Sequence, residues 1–118
     1  MDKTILVTEK IKNGKSLLSS LKEKHIKIND ALWVYDDNDG YWKLIISSPL
    51  VKREGPLSFY KKIDRLIKDS KLQYENISVK SPDDNLIKML RSAYEVRSRL
   101  FQDVPMNDTY IYFMNTNS

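Results

Sequence analysis

The stretch from Ala31 to Val51 constrains this chain more than any other. Two runs rich in aromatic and β-branched residues, Ala31–Tyr35 and Tyr41–Ser47, flank a polar tip, Asp36–Gly40, and carry both tryptophans, Trp33 and Trp42. That pattern predicts a β-hairpin. Strand alternation places Trp42, Leu44 and Ile46 on one face and Tyr41, Lys43, Ile45 and Ser47 on the other, with the Trp42 face expected to be core. The tip resembles a calcium loop only superficially. With Gly40 at the sixth position of such a loop, the first and twelfth fall on Tyr35 and Ile46, which carry no carboxylate. Asp, Asn and Gly are what a turn requires, so a turn is expected.

The remaining composition excludes much chemistry. The 118 residues, 41% hydrophobic and 31% charged, suffice for one domain with one core across 1–118. The tail, 115–118, is expected to fray. No apolar run is long enough for a membrane span or a signal peptide, so a cytoplasmic protein is expected. The absence of cysteine excludes disulfides, thiolate metal sites and a cysteine nucleophile. One histidine, His25, excludes a multi-histidine metal site. The three glycines, Gly14, Gly40 and Gly55, are too dispersed for a phosphate-binding loop. No cofactor is expected.

Along the chain, Val7, Ile11, Gly14, Leu18 and Leu21 make one helical stripe and predict a first helix over 3–24. Gly14 on that stripe suggests a close approach by a neighbouring element. The first hairpin strand is expected to begin as early as Ile26, with Asp30 interrupting its apolar face. Pro49 ends the second strand, and 49–56 reads as a loop that exposes Arg53 and Glu54. Pro56 suits a first helical turn. Phe59, Tyr60, Ile63, Leu66 and Ile67 then form the apolar face of a helix over 56–70, with lysines and arginine opposite. A short strand follows over 76–81. A helix over 82–96 is expected, capped by Ser81, with Arg91 and Glu95 paired at i,i+4. Arg99–Asp103 and Thr109–Met114 read as a second hairpin whose last strand, apolar on both sides, is expected to be central or covered. The fold predicted is α+β: a single five-stranded mixed or antiparallel sheet, helices largely on one face, order α-β-β-α-β-α-β-β.

The net charge of +4 is unevenly spread. Residues 1–29 carry seven lysines against three acids, 30–50 one lysine against four aspartates, and 51–72 seven cations against three acids. The basic face of helix 56–70, Lys61, Lys62, Arg65 and Lys68, together with Lys52 and Arg53, is the candidate phosphate-contacting surface. Pro82-Asp83 after a strand matches the start of one metal-nuclease pattern, but no acid-x-Lys follows on a strand, and capping accounts for Asp83 and Asp84.

The residues Leu32 to Asp36, Trp42 to Val51 and Glu54 to Pro56 resemble a widespread family of small, uncharacterised bacterial proteins. Its members share a Leu-Tyr-Asp…Trp-x-Leu…Ser/Thr-Pro-Leu-Val…Gly-Pro pattern. Asp108 to Tyr112 resembles that family's ending, although Met106-Asn107-Asp108 stands where its C-terminal turn has glycine. The likeness spans about residues 15–114 and implies a bacterial source and a shared fold. Its motifs are core and turn residues and imply no activity.

The leading functional expectation is therefore a non-catalytic binding or adaptor subunit acting with a larger bacterial protein. Trp33, Tyr35, Tyr41, Tyr110 and Tyr112 are the candidate interface, because exposed aromatics suit contacts between proteins. The alternatives are a nucleic-acid-binding module using the basic helix and a small metal-dependent nuclease. A homodimer paired through an exposed strand is compatible with each.

Overall fold

The computed structural model describes residue 6, residues 8–100 (backbone alone over 96–100) and residues 109–115. The order of elements is α1 Thr8–Glu23, β1 Asp30–Asp36, β2 Tyr41–Ser47, α2 Pro49–Glu54, α3 Pro56–Asp69, a 3₁₀ turn Tyr74–Asn76, β3 Ile77–Lys80, α4 Asn85–Leu100 and β4 Thr109–Phe113. Among the described residues the sheet is mixed and has four strands, ordered β3-β2-β1-β4, not the expected five, and the element order is α-β-β-α-α-β-α-β because a second helix follows the hairpin. β1 pairs antiparallel with β2 and β4, and β2 pairs parallel with β3.

The hairpin forms as its sequence requires. Trp33 lies opposite Leu44, Tyr35 opposite Trp42 and Ala31 opposite Ile46, all on one face. Trp33, Leu44 and Ile46 are fully buried there with Leu17 and Leu21 of α1 and Phe59, Ile63 and Ile67 of α3. At the tip, the Asp36 carboxylate accepts from the amides of Asn38 and Asp39, and the Lys43 ammonium lies 2.9 Å from Asp36 and 2.8 Å from Asp39. Those hydrogen bonds hold the Lys43 ammonium above the usual lysine range. The tip is a turn closed by its own lysine.

The opposite face is not open to solvent. Leu32 and Ile45 pack there against Ile87 of α4, flanked by Leu86 and Leu90. Helices therefore lie largely on one face, α1, α2 and α3 together, with α4 alone covering the other.

Five further expectations are corrected. The segment after Pro49 is a helix rather than a loop. Ser48 is an extended N-cap whose hydroxyl accepts from the Leu50 amide, and Pro49 occupies the first turn, where its missing N–H costs nothing. The helix predicted from 82 begins at Asn85, because Asp84, not Ser81, caps it by accepting from the Leu86 amide at 2.8 Å. Arg99 and Leu100 belong to α4, so the expected strand over 99–103 does not begin there; its remaining residues, with the connection 104–108, lie outside the described residues. β4 is an outer strand of the described sheet, not a central one. The first strand likewise starts at Asp30 rather than Ile26.

Gly55 joins α2 to α3 at φ 86°, ψ 159°, a conformation essentially reserved for glycine. Gly55→Ala is expected to lower stability by about 1 kcal/mol or more, read as a shift of the urea midpoint at unchanged slope. No helix among the described residues is long and apolar enough to cross a membrane.

Candidate functional site

The site begins where α1 ends. The His25 amide donates to the Lys22 carbonyl and the Ile26 amide to the Leu21 carbonyl, both at 3.0 Å. His25 takes φ 59° between them. These bonds form a Schellman motif with histidine in the left-handed position that glycine usually fills. Ile26 turns inward onto the core and His25 stays exposed. The chain beyond is pinned to the sheet. The Ser48 hydroxyl donates to the Lys27 carbonyl at 2.6 Å, and the Asn29 amide donates to the Ser47 carbonyl at 2.9 Å.

Two grooves adjoin along this segment and share His25 and Ile26. The first, of about 500 Å³, is lined by apolar Leu18, Ile26, Ile28 and Phe113 with Lys22, His25 and Lys27. The second, of about 530 Å³, is lined by Ile26, Leu50 and Leu66 with Lys24, His25, Lys62 and Arg65. Lys62 pairs with Glu54 at 3.1 Å. Lys22, Lys24, Lys27 and Arg65 have no ion-pair partner among the described residues. An uncompensated cluster of this kind raises the local potential for anions. Its cations outnumber the roughly half negative charge at the C-terminus of α1.

Of the six cations singled out in the sequence, Lys62 and Arg65 line the second of these two grooves and the other four line neither. Lys52 pairs with Asp83, and Lys68 with Asp64 at 3.2 Å. Arg53 and Lys61 are exposed elsewhere, without an ion-pair partner among the described residues.

The aromatic candidates divide. Trp33 is fully buried, and its indole N–H donates to the Tyr112 hydroxyl at 2.9 Å. Tyr112 in turn donates to the Ile11 carbonyl at 2.5 Å, and its burial raises its pKa. Tyr35 packs edge-on against Trp42 at 5.7 Å, and half-buried Tyr41 lies 5.4 Å from the Lys43 ammonium. Only Tyr110 is substantially exposed.

The acids of the expected nuclease start have structural partners, Asp84 as a helix cap and Asp83 with Lys52. Among the described residues no three His, Asp or Glu side chains converge on a metal position.

Sequence reading missed the groove residues Lys22, Lys24 and Lys27, whose signal was the density of lysine around the end of α1. It also missed a buried polar hub. Asp30, with no exposed surface, accepts from Arg91 Nε at 3.1 Å and Nη2 at 2.5 Å, from the Ser47 hydroxyl at 2.5 Å and from the Asn115 amide at 2.8 Å. Burial alone would raise this carboxyl. The bonds from Arg91, Ser47 and Asn115 outweigh burial and hold it below the usual carboxylate range. The hub fixes the end of β4, where Phe113 stands.

Comparison with protein-family models, curated proteins and solved structures finds no match for this chain.

Proposed function

We propose that this protein is a nucleic-acid-binding module whose contact surface is the cationic, doubly grooved face around His25. The observation that carries the reading is the set of uncompensated cations, Lys22, Lys24, Lys27 and Arg65, gathered from α1, the following loop and α3 onto two adjoining concave surfaces. Phosphate contacts release counterions, so the test is salt dependence. An oligonucleotide should bind at about 50 mM salt and weaken steeply towards about 200 mM. The triple variant Lys24→Gln, Lys27→Gln, Arg65→Gln should flatten the plot of log affinity against log salt by about 2 units of slope, at roughly 0.7–0.9 per lost contact. An unchanged slope would remove these residues from the interface, and no binding at low salt would end the reading.

A second reading, a non-catalytic adaptor acting with a larger protein, is favoured by one observation. β4 is an outer strand that exposes Tyr110, and such an edge suits strand addition by a partner. Retention of a co-purifying protein by the wild-type chain and its loss on Tyr110→Ser would support that reading. Kinship with the small bacterial proteins that share the Trp-x-Leu…Ser-Pro-Leu-Val pattern is likewise proposed. It rests on residues of β1, β2 and α2 that serve as core and caps.

A further inference from the structure

We infer that the His25 face takes single-stranded rather than duplex nucleic acid, with a base stacked on Phe113. This deepens the reading above and rests on it. Duplex recognition in the major groove needs a convex element, a helix or β-ribbon, that enters the groove. Here the uncompensated cations flank concave surfaces with apolar linings. A duplex keeps its bases stacked inside and has nothing apolar to place in them. A single strand offers a π-face from every base, and proteins that hold it combine a positive groove with aromatic platforms.

Phe113 supplies such a platform. It lines the first groove beside Lys22 and Lys27, yet 42% of its surface is exposed. That is a large ring left in water where a core residue would have been covered. Its position is fixed from below by the bond from the Asn115 amide to Asp30, and the facing segment is fixed by Ser48 and Ser47. A base entering this groove meets surfaces that need no rearrangement, which lowers the ordering cost of binding. The second groove shares His25 and Ile26 with the first, so the neighbouring nucleotide has its own apolar recess and its own cations, Lys24 and Arg65. Every base has a π-face, so little sequence preference is expected.

The test uses the whole chain and fluorescence anisotropy with three labelled probes of mixed sequence and equal length: single-stranded DNA, single-stranded RNA and duplex DNA. At low salt one or both single strands should bind at least about tenfold more tightly than the duplex, and the preferred strand identifies the sugar. Phe113→Ala should weaken single-strand binding by about 5- to 100-fold, the range for loss of one stacked base, and leave duplex binding unchanged. Phe113→Leu keeps apolar volume in β4 without the ring, so it decides the matter should the alanine variant unfold. Single-strand binding by the leucine variant at wild-type strength would overturn the stacking. Duplex binding equal to or tighter than single-strand binding would overturn this inference and leave the nucleic-acid reading standing. No binding of any probe would end both.

His25→Gly separates contact from fold. Glycine relaxes the left-handed backbone, so the thermal midpoint should hold or rise. Single-strand affinity should still fall severalfold, because the imidazole lines both grooves. Unchanged affinity would take His25 out of the contact.

Discussion

Arg91→Ala should destabilise the protein by about 3–5 kcal/mol, the usual cost of stripping the partner from a buried charge. Asp30 would keep only the Ser47 hydroxyl and the Asn115 amide in a site with no exposed surface. The Pro82 carbonyl, which accepts from Arg91 Nη1 at 3.2 Å, would lose that bond too. Urea unfolding at pH 7 reads the loss. A second readout is pH. In the wild-type protein the folded carboxyl titrates below its unfolded value of about 3.9. Between the two values the unfolded chain binds more protons than the folded one. The stability Asp30 contributes is therefore fully present above about pH 4 and is lost as pH falls through the folded value. Without Arg91 the carboxyl loses its strongest charge-assisted bonds and moves up from its wild-type position, so part of the deficit should be recovered on acidification. Asp30→Asn added to Arg91→Ala should recover part of it at pH 7, because the amide carries no charge to bury. A merely local role for Arg91 on the helix surface would show neither effect.

Gly14→Ala should cost about 2–3 kcal/mol net, against a helix-propensity gain of about 1 kcal/mol. A Cβ at position 14 would meet the Tyr112 hydroxyl well inside contact distance, with Tyr112 Cζ at 3.1 Å and Trp33 Nε1 at 3.2 Å. The hydroxyl cannot simply step aside, because it is held by the Trp33 indole on one side and the Ile11 carbonyl on the other. Moving it leaves two polar groups poorly paired. Tyr112→Phe removes the colliding atom at its own cost. In that background the further penalty of Gly14→Ala should shrink towards zero. The cycle should thus give a coupling of about 1–3 kcal/mol between positions 98 residues apart in the chain but adjacent in space. Additive effects would mean that α1 adjusts without involving Tyr112.

The hairpin, its core face and helix α3 were legible in the sequence because each is fixed by local periodicity and turn chemistry. The close approach at Gly14 was legible too, as a glycine on an otherwise apolar stripe. The structural role of Asp30 was not. An aspartate at a strand start reads as an interruption until its partner is known, and Arg91 lies 61 residues away. The local rule looks for a partner of Arg91 only one helical turn away, at Glu95, and has no means of finding a buried carboxylate on another element. Proline misled in a similar way. Pro49 does end the strand pairing, as its missing N–H requires, while the helix it opens depends on a Ser48 hydroxyl shared between the Leu50 amide and the Lys27 carbonyl. The grooves were legible only as charge density, since their walls come from α1, α2, α3 and β4.

The two outer strands of the sheet are unlike. On β3, the Tyr60 hydroxyl donates to the Ile77 carbonyl at 2.7 Å and accepts from the Val79 amide at 3.4 Å. A strand whose outward carbonyl and amide are taken by a tyrosine of α3 is a poor template for another chain. Among the described residues, growth of the sheet by addition is thereby left to the β4 side. Two copies that met there would pair edge to edge about a two-fold axis and use up both β4 margins at once. Such an assembly terminates itself at two, and the route to an open-ended fibril is closed by a single tyrosine.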